Sequence, residues 1–94
     1  MYMPKILLET EHEGTKEGCE QAVRTFLKTG SHFLTNADWG CTDGEHKAWI
    51  IIDAESKDEA LMIVPHQYRN ATKVVELEKF SLDTVDEIFG PHHI

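Results

Sequence analysis

The chain has 94 residues, 40% hydrophobic and 28% charged, proportions that exclude collagen-like, mucin-like and intrinsically disordered classes. One water-soluble domain spanning 1–94 is expected, long enough to bury roughly 60–70% of the surface its unfolded form exposes. Seventeen acidic against nine basic side chains leave a net charge of −8, which repels phosphate backbones and anionic lipid, so neither nucleic acid nor membrane is expected as a partner.

Residues 5–11, with Ile6, Leu7 and Leu8, are short and β-prone, and Glu11-His12-Glu13-Gly14 ends them. Cys19, Ala22, Val23, Phe26 and Leu27 then recur at helical spacing over 16–29, with Thr15 placed to cap the helix and Gly30 to end it. Over 32–39 the period becomes two, putting His32, Leu34, Asn36 and Asp38 on one side and Phe33, Thr35, Ala37 and Trp39 on the other. Asp43-Gly44 suits a two-residue hairpin turn, which sets Asp38 opposite Trp49, Trp39 opposite Ala48 and Cys41 opposite His46. The return strand, 47–53, contains Trp49-Ile50-Ile51-Ile52 and reads as central, covered on both faces.

Ser56 with Glu59 is a capping box that opens a second helix, its face made by Ala60, Leu61, Ile63 and Val64, and Pro65 kinks or ends it. Residues 73–79 form a last strand with Val75 and Leu77 facing opposite to Val74, Glu76 and Glu78. A short helix over 82–89 follows, capped by Ser81 and stopped by Gly90-Pro91.

The order β-α-β-β-α-β plus a C-terminal helix is an α+β, ferredoxin-like arrangement, an antiparallel sheet with two helices on one face. In element order and length, over nearly the whole chain, it resembles the dimeric α/β-barrel superfamily of muconolactone-isomerase-like, YciI-like and antibiotic-biosynthesis-monooxygenase-like proteins. The resemblance carries no diagnostic motif. It implies the fold and a homodimer, and no catalytic residue.

The hairpin register places Phe33, Thr35, Ala37, Trp39, Ala48, Ile50 and Ile52 under the helices. Leu34, Asn36, Asp38, Trp49 and Ile51 fall on the other face, with His32 and Asp53 towards its end. Left uncovered, that face is an apolar patch on the order of a few hundred Å², which calls for a second sheet or a ligand, unless Val85, Ile88 and Phe89 fold back over it.

Residues 38–46 hold the densest set of reactive side chains. Cys41 opposite His46 is a pairing used for thiolate activation or metal ligation, but zinc would also need His12, His32 or Asp38, and an ordinary hairpin tip accounts for the same residues. Asp38 and Glu9 are the candidate catalytic carboxylates, their pKa raised if buried beside Trp49; solvated strand residues paired with Lys47 or Lys79 are the plainer account. Asn36, Asp38 and Trp49 are candidate ligand contacts, joined by Tyr68 and Arg69 in a turn that either grips an anion or is simply a solvated helix end. His92-His93 offers at most weak metal affinity from a chain end.

Cys19 and Cys41 fit no C-x-x-C pattern and read as free thiols, Cys19 packed on the helix stripe and Cys41 the more reactive. With no signal-like segment and no apolar run of the ~20 residues that span a bilayer, a cytoplasmic protein is expected. No nucleotide-loop, zinc-protease or esterase motif occurs, and no cofactor is expected. The function read from these residues is small-molecule binding in a cleft at the sheet face of a homodimer. Catalysis there, as isomerase or cofactor-free oxygenase, rests on analogy of fold alone. The alternatives are a non-catalytic assembly or regulatory module, and a transition-metal binder through Cys41 and His46.

Overall fold

Alternating burial makes the sheet. In the computed structural model, which describes residues 3–90, Ile6, Leu8 and Thr10 of β1 (Lys5–Glu11) are buried while the residues between them face outward, and Ala48, Ile50 and Ile52 of β3 (Lys47–Asp53) repeat the pattern. Between these strands run α1 (Lys16–Lys28), α2 (His32–Thr35) and β2 (Asp38–Trp39). After them come α3 (Lys57–Leu61), β4 (Thr72–Leu77) and α4 (Leu82–Phe89), with 3-10 turns at Cys41–Asp43 and His66–Ala71. Pro91, His92 and His93 lie outside the described residues.

The class is α+β. Four strands form one open antiparallel sheet in the order β2-β3-β1-β4. β1 pairs β3 from Lys5↔Asp53 to Glu11↔Lys47, and β4 from Lys5↔Leu77 to Thr10↔Thr72. Asp38 opposite Trp49 and Trp39 opposite Ala48 are the pairings expected from the hairpin. The core lies on the helix side, where Phe26, Leu34, Ala60 and Val64 meet Ile6, Leu8, Ile50 and Ile52. Among the described residues, the one buried polar side chain of that face, Thr10, shares a hydroxyl hydrogen bond with Thr72 at 2.8 Å.

The caps follow the sequence. Thr15 Oγ1 accepts from Gly18 N, Ser56 Oγ from Glu59 N, and Ser81 Oγ from Thr84 N, each satisfying an amide that the first helical turn leaves open. Pro65 ends the turns after α3 and opens the 3-10 turn.

Two local expectations fail. Residues 32–35 are helical rather than extended: Ser31 Oγ accepts from Leu34 N and Asn36 Nδ2 donates to His32 O at 2.7 Å, so side chains close the turn locally. The helix turns Leu34 into the core at 2% exposure and leaves Phe33 at 43%, the reverse of their expected sides. β2 is consequently two residues long. The loop that follows is also wider than a two-residue turn. Gly40 N donates to Lys47 O, Gly40 O accepts from Asp43 N and Glu45 N, and Gly44 turns the chain at φ 83°, a conformation that favours glycine. Cys41 therefore lies in the 3-10 turn and not across a ladder from His46.

α4 leaves the outer sheet face open. Ile51 is 58% exposed, and Leu82, Ile88 and Phe89 of α4 are exposed too, Phe89 meeting Phe80 edge to face at 5.1 Å. Among the described residues, no helix is long and apolar enough to cross a membrane.

Candidate functional site

Where β2 stops short, the outer side of β3 borders a hollow of about 430 Å³ lined by His32, Phe33, Asn36, Asp38, Trp49 and the strand from Ile50 to Asp53. Three of the five expected ligand contacts, Asn36, Asp38 and Trp49, meet here. α2 supplies His32 and Phe33, and Asn36 caps its end. Bonds His12 N→His46 O and Ala54 N→Pro4 O flank the β1–β3 ladder, so Leu8–Ile50 and Ile6–Ile52 are its hydrogen-bonded pairs. The N–H and C=O groups of Ile51 and Asp53 consequently point away from β1, toward the edge where β2 has ended.

Trp49 joins this hollow to Glu9. Its Nε1 donates to Glu9 Oε1 at 3.1 Å, and Lys47 Nζ stands 3.5 Å from Glu9 Oε2. The indole hydrogen bond, assisted by Lys47 and Lys73 against partial desolvation, holds the Glu9 carboxyl below its ordinary range. Of the two accounts of Glu9, the pairing with Lys47 is the one present and the carboxyl raised by burial is not; the carboxylate positions the indole. Gly40 lets the ring lie close, because a Cβ there would come within 2.9 Å of Trp49 Cζ3 and 2.8 Å of Glu45 Cβ. Asp38 is exposed on the rim.

Tyr68 and Arg69 belong elsewhere. Tyr68 packs on Phe26 with ring centroids 5.8 Å apart, and Arg69 donates from Nε to Val64 O and from Nη2 to Met62 O. The guanidinium thus closes the carbonyls after α3 and is not part of the cleft.

A second constellation was not foreseen in this form. Cys19 and Cys41 form a disulfide, with Cα atoms 6.5 Å apart, contrary to the free thiols expected. The pairing is tertiary, made by α1 crossing the loop after β2, and a separation of 22 residues has no local signature. Cross-linking a loop of that length is worth about 3 kcal/mol through the unfolded state. His12 Nε2 lies 3.3 Å from Cys41 Sγ, while His12 Nδ1 is 3.0 Å from Glu13 O. A carbonyl only accepts, so Nδ1 carries a proton, and in the neutral ring Nε2 turns its lone pair to the sulfur. His46 stands edge-on to His12 at 5.7 Å, and its buried Nδ1 has no hydrogen-bond partner. Continuing the β1–β3 register of the structure by one residue brings His12 opposite His46, a pairing not anticipated from the sequence. His32 lies apart from this group, in the cleft, as does Asp38.

No protein-family model matches the chain, and searches of curated proteins and of solved structures return no significant match.

Proposed function

We propose that the chain is a ferredoxin-like protein of the dimeric α/β-barrel kind that binds a small organic molecule at the open face of its sheet, as a homodimer in the cytoplasm. The observation that carries this reading is the hollow beside β3, in which Asn36, Asp38 and Trp49 converge with two outward-facing backbone units. The order β4-β1-β3-β2, antiparallel throughout, supports the ferredoxin-like part, and the exposed Ile51, Leu82 and Phe89 support a second copy. Asp38, Asp53 and the net charge of −8 favour a neutral or cationic ligand with hydrogen-bond donors, its apolar body against Trp49 and Phe33.

A panel of small aromatic and cyclic amines, amides and phenols tests it. Binding is expected to change Trp49 emission in a Trp39→Phe background and to raise the melting temperature of the native chain, by the equivalent of about 2.7 kcal/mol at a hundredfold excess over Kd. Asp38→Asn and Asn36→Ala should weaken both responses. Silence across the panel would overturn the reading and favour an assembly module, the alternative suited to the exposed apolar side of α4.

A further inference from the structure

Cys19, Cys41 and His12 place three ligand atoms within 4.8 Å of one another, and none of them lines the cleft. We propose that these three residues, with His46 as the fourth ligand, form a redox-gated site for a zinc-class divalent ion, closed while the disulfide is intact and open when it is reduced.

The geometry is near what such an ion requires. With bonds of about 2.3 Å to sulfur and about 2.05 Å to imidazole nitrogen, tetrahedral ligation puts two sulfurs about 3.8 Å apart and sulfur about 3.6 Å from nitrogen. Opening an ordinary disulfide of about 2.05 Å to that spacing moves each sulfur by about 0.9 Å. His12 Nε2, at 3.3 Å from Cys41 Sγ, is already close to its ligand distance. Its bond to the Glu13 carbonyl supplies the outer partner that fixes a ligating tautomer. His46 Nδ1, buried without a partner, gains one by a ring rotation toward the metal. A mostly apolar hollow of about 420 Å³, lined by Thr15, Lys16 and Glu20 together with Cys19, Cys41 and His46, gives the ion a way in.

The chemistry balances with a dithiol as reductant. The dithiol transfers two electrons and two protons to the Cys19–Cys41 bond, leaving two thiols and becoming a disulfide itself. The divalent ion then displaces both thiol protons and is held by two thiolates and two neutral imidazoles, so the site adds no net charge. In reverse, a disulfide oxidant takes two electrons from the thiolates and two protons from solvent and leaves as a dithiol, the sulfurs rejoin and the ion is released. A reducing compartment therefore selects the metal form and an oxidising one the cross-linked form.

Cobalt is the probe. The full chain, reduced with dithiothreitol and freed of it under argon, is expected to bind one equivalent of Co²⁺ with the visible bands of tetrahedral cobalt and a sulfur-to-cobalt charge-transfer band, both abolished by Zn²⁺. The oxidised chain should show neither. Cys19→Ser should lose the charge-transfer intensity expected of two thiolates, and His12→Gln should weaken binding by more than the ~10–100-fold that loss of an outer-shell partner costs. His92→Gln/His93→Gln should bind as the native chain does. A reduced chain with only an octahedral cobalt spectrum, equal binding by the oxidised chain, or binding lost in the His92/His93 variant would each overturn the proposal. If the reduced chain unfolds without metal, one equivalent of Zn²⁺ must restore its far-ultraviolet dichroism, and failure to do so overturns the proposal as well.

Discussion

Trp49 serves the cleft with its ring and the sheet with its nitrogen, and Glu9 makes the two compatible. Because the indole N–H and Lys47 stabilise the charged carboxylate, the folded-state pKa of Glu9 lies below the usual 4.5. Protonation then costs more in the folded chain than in the unfolded one. The stability contributed is complete above about pH 4.5 and is lost as pH falls through the depressed value. Denaturant unfolding between about pH 3 and pH 6 should show a shallower loss toward acid for Glu9→Gln than for the native chain; parallel curves would count against the coupling. At this scale, the hairpin register was enough to set Asp38 opposite Trp49, while Asn36 reaches the same hollow as the cap of α2, not through the alternation expected of it. The disulfide was not readable in that way, since Cys19 and Cys41 meet only when α1 packs across the loop after β2.

α2 shows how an element is decided by its surroundings. Four residues, His32–Thr35, satisfy a two-residue period as well as a single helical turn, and intrinsic preference does not choose between them. Ser31 and Asn36 supply local hydrogen bonds for the turn, and burying Leu34 beside Phe26 and Ile50 rewards it. Leu34→Ala should accordingly cost about 2–5 kcal/mol and Phe33→Ala well under 1, measured by urea unfolding. The opposite ranking would restore the extended reading. Longer elements were readable from the sequence for a simpler reason: Thr15, Ser56 and Ser81 cap by hydrogen bonds within their own helical turn, which spacing alone specifies. The loop at 40–46 was not, because Gly40 O takes two amides where a tight turn would take one.

For the whole molecule, the order of elements and the alternation of strands were sufficient to indicate an α+β chain with an antiparallel sheet. Whether anything covers the outer face lay beyond them, because α4, the element that could have folded back over it, leaves Ile51 exposed. The protein measures 51 Å along its longest axis with a radius of gyration of 16.2 Å, against about 12 Å for a spherical chain of this length. α4 and the sheet face thus expose apolar surface that a second copy would bury. Light scattering at micromolar concentration should give twice the 10.7 kDa of one chain, and Ile51→Lys should return it to a single mass. A native chain that scatters as one copy removes the homodimer.

Because β2 ends early, the edge of β3 offers main-chain groups as well as side chains to the hollow. Ile51 and Asp53 present their outward main-chain groups whatever side chains stand at those positions. If the hollow holds a ligand as proposed, part of its recognition would be carried by atoms that substitution does not remove. A substitution at 51 or 53 that keeps the strand would leave that pair of donors and acceptors in place, while changes at Asn36, Asp38 or Phe33 would alter what the hollow could hold.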